Sequence, residues 1–340
     1  MASMRAKFAN TTLVIFGAGY IGGHLAEQAI AEGARVTALT RNPERAARLR
    51  SLGATVVVAD LADTAWHTAA GLRGNADLVV DCVSGGGSLA GYRRSYLDGM
   101  CSILAWARAT GQAGRLVYTG STSVYPQGDG ARVDETMPTA TGDDAAAGAG
   151  AGTDVASAVL LETEREALRW PGAAGACVLR LAGIYGPQRH HLLGQLREAA
   201  ASGAELSGGA EDHLNLIYRD DVCDAIRAAA LASAKTLAAS AGAEAGGAVF
   251  NIADNAAPTR AELCAWLAQR LGLPEPRFSG QPAPGRRRRT PDRIIVNALA
   301  RRSLGWEPAH PTFREGYEAI FAEEARETHE RTRKEYRKDT

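Results

Sequence analysis

Along the first third of the chain, short apolar runs alternate with amphipathic stretches. Residues 11–16 (TTLVIF) are β-branched and apolar, which predicts a buried strand, and residues 21–31 carry apolar positions at helical spacing. The pair repeats: a strand over 34–40, then a helix opened by Pro43 at its first turn. Further apolar runs at 54–61, 76–83 and 114–121 predict three more strands, with a long helix over 92–110 between the last two. Strands alternating with helices predict an α/β fold, a doubly wound parallel sheet covered on both faces.

The pattern then breaks. Residues 139–158 are rich in Ala, Gly, Thr and Asp and predict a flexible loop. A helix is expected over 159–170, ended by Pro171, and a sixth strand within 175–187 leads into a loop. Residues 214–232 read as a short strand and a helix, and 247–255 as another strand. A helix starts near Thr259, where Glu262 completes a capping box. The mixed-charge C-terminal turns predict a solvated helix. The expected organisation is a core over 1–180, core strands mixed with a smaller lobe over 181–320, and a charged helix or tail over 321–340.

Composition narrows the function. Lys+Arg and Asp+Glu are both 38, which gives no basic surplus for nucleic acid. The five cysteines show no CxxC spacing, so buried free thiols are expected rather than disulfides or a metal site. No apolar run approaches membrane-spanning length, and the N-terminal residues lack an apolar signal region. The expectation is a cytoplasmic protein without membrane or nucleic-acid partners. Lysine occurs only at positions 7, 235, 334 and 338.

The segment GAGYIGG places Gly17, Gly19 and Gly22 in a G-x-G-x-x-G pattern between a strand and a helix. The first glycine permits a tight turn, the second a close approach of the backbone to a pyrophosphate, the third close packing of helix on strand. Tyr20 and Ile21 open the helix whose free N–H groups would meet the phosphates. The second strand ends in Thr40 and Arg41, where an acidic residue would suit a ribose 2′-OH. Arginine suits a 2′-phosphate, so NADP is expected, with NAD the alternative. Arg45 lies one helical turn on. Asp60 and Leu61 are placed for the adenine. Val83, Ser84 and the glycines at 85–87 let the backbone pass close to the cofactor.

Taken together, GAGYIGG, STSVY, RLAGIYGP and NLIYRDD resemble the extended short-chain dehydrogenase/reductases, the NAD-dependent epimerase/dehydratase group, over about nine-tenths of the chain. The resemblance implies a Rossmann core with a small C-terminal substrate lobe, and often a homodimer through the helices at 92–110 and 159–170. It also implies that Ser121, with Thr122 beside it, binds the reacting oxygen. A second tyrosine, in Y-x-x-x-K, would transfer the proton, its pKa lowered by the lysine.

That pair is missing. Between Pro126 and Ile184 there is neither tyrosine nor lysine, and no tyrosine in the chain has a lysine four residues on. Counting back from the helix over 159–170, the two positions fall near Asp154 and Ala158. Candidates for the proton transfer are Tyr125, on the segment of Ser121, and Tyr185 and His190 after the sixth strand, with His191 beside them. His213 and Asn215 could line the substrate lobe or a surface turn. Asp220 and Asp221 read as helix cap and loop anchor, and Arg286 to Arg289 as a solvated run or an anion grip. The leading reading is an NADP-dependent oxidoreductase or epimerase acting on a small polar metabolite with a non-standard proton donor. The alternatives are a non-redox lyase, cyclase or isomerase, or an inactive NADP-sensing protein.

Overall fold

The computed structural model describes residues 8–85, 88–140, 151–240, 247–281 and 291–336, with the side chains of 151–154 and 331–336 left aside. The expected run at Arg286 to Arg289, Gly86, Gly87 and the centre of the Ala/Gly-rich stretch lie outside the described residues. Seven strands form one parallel sheet. They are β1 (Thr12–Phe16), β2 (Arg35–Thr40), β3 (Thr55–Val58), β4 (Leu78–Asp81), β5 (Arg115–Ser121), β7 (Ala176–Leu181) and β10 (Gly247–Ile252). Two short pairs stand apart, β6 (Ala131–Val133) with β11 (Arg293–Ile295), and β8 (Gly183–Tyr185) with β9 (Leu216–Tyr218).

The order in the large sheet is β10-β7-β5-β4-β1-β2-β3. Its direction of growth reverses between β1 and β4, which opens a crevice at the carboxyl ends of those strands. Successive residues of β1 point to opposite faces: Leu13 and Ile15 join one buried cluster, Val14 and Phe16 the other. Burial on both faces explains the continuous apolar runs. The helices over this sheet are α1 (Tyr20–Ala31), α2 (Pro43–Ser51), α3 (Leu89–Arg93), α4 (Gly99–Thr110), α5 (Ala151–Ala167) and, further along the chain, α7 (Arg219–Leu231), α8 (Ala234–Ser240) and α10 (Ala298–Leu304).

A third cluster is built on α6 (His191–Ser202), α9 (Arg260–Leu271) and the start of α11 (Phe313–Tyr336), where Leu193, Leu263, Phe313, Tyr317 and Ile320 pack together. Thr259 caps α9, and its hydroxyl and the Glu262 carboxylate exchange bonds with each other's backbone, the capping box read from the sequence.

Four expectations need correction. Residues 151–158 are the first turns of α5 rather than loop, since alanine is the best helix former and outweighs the single glycine there. The helix over 92–110 is interrupted by a π-helical turn at Arg94–Asp98 between α3 and α4. The run after β7 is a second strand, β8, paired with β9 instead of continuing the sheet. Cys101 is exposed on α4, unlike the buried Cys177, Cys223 and Cys264. Among the described residues, no helix is long and apolar enough to cross a membrane, and no group of His, Cys, Asp and Glu could hold a metal ion.

Candidate functional site

Two clefts lie at the carboxyl ends of the sheet strands. The first, of about 210 Å³, sits at the crevice beside β1. Gly17 takes φ +78°, a conformation an L side chain rarely adopts, and a Cβ there would sit 2.6 Å from the Val83 nitrogen. A Cβ on Gly22 would meet the Gly17 carbonyl oxygen at 2.5 Å, so α1 can rest on the turn only with glycine there. Among the described residues, a Cβ on Gly19 would come no closer than 3.8 Å to an atom beyond its chain neighbours, the Gly17 oxygen, and its backbone faces the cleft. No side chain among the described residues caps α1. A turn this open, at an uncapped helix start, fits a pyrophosphate.

The walls of this cleft gather Gly17, Gly19, Thr40, Arg41, Arg45, Asp60, Leu61, Val83 and Ser84, all singled out from the sequence. Asn42 caps α2, accepting the Arg45 N–H at 2.9 Å, and that cap turns the chain so that Arg41 and Arg45 flank the cleft. Burial alone would raise the Asp60 carboxyl. The Ala62 N–H and the Arg94 guanidinium outweigh it, with Arg41 adding its charge, and hold Asp60 below the usual carboxylate range. Three residues of the pattern do not line this cleft. Gly22 and Ile21 pack inward, and Tyr20 turns away to donate its hydroxyl to the Pro187 carbonyl at 2.9 Å. Burial, partly offset by Arg219 and Arg189, pushes that phenol up to about 12.

The second cleft, of about 610 Å³, lies between the end of β5, the β8–β9 pair, α6 and α9. Ser121, Thr122, Tyr185, His190, His191, His213 and Asn215 all line it. Ser121 ends β5 opposite Leu181, and its Oγ accepts the Ser123 N–H at 3.1 Å, which leaves its O–H to donate. Thr122 spends its hydroxyl on the Leu181 carbonyl at 3.3 Å.

Three proposed proton donors are poorly set. Tyr125 is 1 % exposed and does not line the cleft. Its hydroxyl donates to Asn251 Oδ1 at 2.9 Å and accepts from Arg180 Nη1 at 2.8 Å, so it is a core group. The Tyr185 ring forms part of the wall, but its hydroxyl is buried with no hydrogen-bond partner among the described residues and abuts Gly316. Burial, with Asp254 nearby, drives its pKa far above the ordinary phenol value. His190 opens α6 with Nε2 directed at Glu324, 3.4 Å away.

Asp220 and Asp221 behave as anchors. Asp221 is fully buried and accepts the N–H groups of Ala309 and His310 at 2.7 and 3.1 Å. Asp220 takes Arg219 at 2.9 Å and His24 at 3.0 Å. The position counted for the missing lysine, Ala158, is exposed on α5, and its neighbour Ser157 donates to the Ser123 carbonyl at 3.2 Å. That end of α5 therefore lies against the Ser121 segment without either side chain of the pair.

Two residues not weighed in the sequence complete the wall, Asp292 and Arg293. Asp292 accepts both the backbone N–H of His213 at 2.8 Å and its Nδ1–H at 2.9 Å. Arg293 donates to the carbonyls of Tyr125 and Thr122 at 2.8 and 3.0 Å. Nothing local marks them, because their partners lie about 80 and 170 positions away.

A family model described as the NAD dependent epimerase/dehydratase family matches residues 13–253. No curated protein matches the sequence. Among solved structures, MoeE5 in complex with UDP-glucose and NAD is similar at 20% identity and a TM-score of 0.70, over 93% of this chain and 99% of that one. UDP-glucose 4-epimerase from Thermotoga maritima, with UDP-glucose, is similar at 19% identity and a TM-score of 0.67, over 93% and 99%. UDP-N-acetylglucosamine 4-epimerase from Methanobrevibacter ruminantium, in complex with UDP-N-acetylmuramic acid, is similar at 15% identity and 0.68, over 93% and 99%.

Proposed function

The chain belongs to the NAD dependent epimerase/dehydratase family, and from that premise we propose that it is an NADP-dependent oxidoreductase or epimerase acting on a small polar metabolite. The observation that carries this reading is the gathering of Gly17, Gly19, Arg41, Asp60 and Ser84 around one crevice, with Ser121 in a second cleft at the same sheet edge. Bound in the crevice, a nicotinamide dinucleotide supplies a hydride donor or acceptor. Arg41 and Arg45 suit the 2′-phosphate of NADP, and Arg41 stands directly after β2, where an acidic residue would serve a 2′-OH.

Ser121 donates its O–H to the reacting oxygen of the substrate. The larger cleft suits an anionic, hydroxyl-rich molecule, since Arg189, Arg260 and three histidines stand in its wall. The sugar nucleotides bound in the similar structures are molecules of that kind and support this reading. The missing tyrosine and lysine favour a second reading, in which the dinucleotide is held for non-redox chemistry or for sensing.

Two further properties belong to the proposal. Leu89 and Val155, both exposed, lie on α3 and α5, which suits a homodimer through those helices and α4. The five separate thiols suit the cytoplasm. Titration with NADPH and with NADH, followed by nicotinamide fluorescence, tests the core of the reading. Binding of NADPH with spectral change on adding a sugar nucleotide supports it. Failure to bind either cofactor removes it, and binding without any spectral change selects the second reading.

A further inference from the structure

Resting on the reading of this chain as a nicotinamide enzyme, we propose that His213 transfers the proton to and from the substrate oxygen, with Asp292 as its positioning residue.

The argument starts from one oxygen. Oδ1 of Asp292 lies 2.8 Å from the His213 backbone nitrogen and 2.9 Å from Nδ1 of its ring. An ionised carboxylate only accepts, so the proton of the neutral ring sits on Nδ1. Nε2 then carries the lone pair, and it has no hydrogen-bond partner among the described residues. His213 lines the cleft that Ser121 lines. His190 faces Glu324, and His310, which makes a similar contact with Asp221, stacks on Tyr218 outside this cleft.

The dyad and the serine share one frame. Directly after Asp292, Arg293 grips the turn that follows Ser121 through the Thr122 and Tyr125 carbonyls. Asn215, two residues after His213, holds the same segment, donating to the Arg293 carbonyl at 2.8 Å and accepting the Ile295 N–H at 2.7 Å. A bridge between His213 and Thr259 fixes the histidine backbone from the other side. Residues 291–295 therefore connect the turn that follows Ser121 to the segment that carries His213, two residues of one cleft wall.

The chemistry balances. The O–H bond of a substrate alcohol breaks, its proton goes to Nε2, and the oxygen pair forms the carbonyl as the C–H pair leaves to the oxidised nicotinamide. Reversal returns the proton from the imidazolium to the oxygen. Ser121 holds that oxygen in both directions.

A first test needs no identified substrate. Diethyl pyrocarbonate acylates unprotonated imidazole nitrogens, and peptide mass spectrometry reads each histidine separately. At about pH 8, the rate at His213 relative to the exposed His329 is expected to fall several-fold in Asp292→Asn. NADPH affinity, set in the other cleft, reports that this variant is folded. The second test mixes the NADP-loaded enzyme with UDP-glucose, UDP-glucuronic acid or UDP-N-acetylglucosamine and follows nicotinamide absorbance. His213→Gln is expected to slow the change by about 100-fold or more, and added imidazole to restore part of the rate to His213→Gly. An unchanged acylation ratio in Asp292→Asn, or an undiminished rate in His213→Gln, overturns the proposal. Failure of the parent protein to bind NADPH instead removes the reading on which it rests.

Discussion

Nη1 of Arg180 donates to the hydroxyl of Tyr125 at 2.8 Å, with the guanidinium carbon 5.0 Å from the centre of the tyrosine ring. The same hydroxyl donates to Asn251. Burial raises the phenol, and Arg180 only partly offsets it. A phenol so placed has no path to a substrate. Tyr125→Phe is therefore expected to keep cofactor binding and turnover while losing about 1–3 kcal/mol of stability, the cost of leaving buried polar partners unmet. Urea unfolding beside NADPH titration checks this. Lost turnover at unchanged stability would return Tyr125 to the chemistry.

Arg180 carries a larger share of the core. Its guanidinium meets Glu164 at 2.7 Å, with the two side chains 8% and 4% exposed. Burial alone would lower the guanidinium pKa, yet Glu164 raises it. Arg180→Met leaves a buried carboxylate unpaired, and a loss of about 3–5 kcal/mol is expected. Arg180→Met combined with Glu164→Leu should recover much of that loss, because the uncompensated charge goes with its partner. A double mutant no more stable than the single one would show that the pair is not the source of the loss.

The cofactor crevice was legible in the sequence because its signals are local. Gly17, Gly19 and Gly22 fall within six consecutive positions, and Arg41 follows directly on a strand whose pattern is plain. The substrate cleft was legible only in outline. Ser121 sits on a strand end and could be read, but Tyr125, four residues later, turns into the core because Arg180 and Asn251 wait there. Asp292 gives no signal until β11 pairs with β6 and brings it beside His213. The start of α5 was misread because a low-complexity Ala/Gly composition hides the helical period that packing imposes.

Arg41 is the test of cofactor choice. It stands exposed beside Asp60 at the rim of the crevice. A charge-assisted contact with a 2′-phosphate contributes about 1.5–3 kcal/mol, so Arg41→Ala is expected to weaken NADPH by about tenfold or more. NADH affinity should change little. Parallel fluorescence titrations of the two forms decide it. Equal weakening of both cofactors would place Arg41 on the shared part of the molecule, and no change would pass the 2′-phosphate role to Arg45.

Asp254 sets the pH dependence of stability. Its side chain is buried, Oδ1 accepts the Ala256 N–H at 3.1 Å, and Oδ2 has no partner among the described residues. Burial, reinforced by Asp221 and Glu315, pushes its carboxyl up to about 8. In the unfolded chain the group titrates near pH 4. The folded state thus holds a proton that the unfolded state has released, and stability falls as pH rises between those values, by up to about 1.4 kcal/mol per pH unit. Asp81, raised by burial to about 7, acts with the same sign. Asp220, held low by His24 and Arg219 against its burial, acts with the opposite sign but only in the acid range. His67, lowered by burial, also opposes the slope, but only below about pH 6.5. The window from about pH 6.5 to 8 therefore isolates the buried carboxyls. Asp254→Asn, which keeps Oδ1 as an acceptor and cannot ionise, is expected to flatten the fall of Tm across that window and to exceed the parent in Tm at its upper end. Thermal unfolding of both proteins at several pH values measures this, and parallel curves would show that Asp254 is ionised in the folded state.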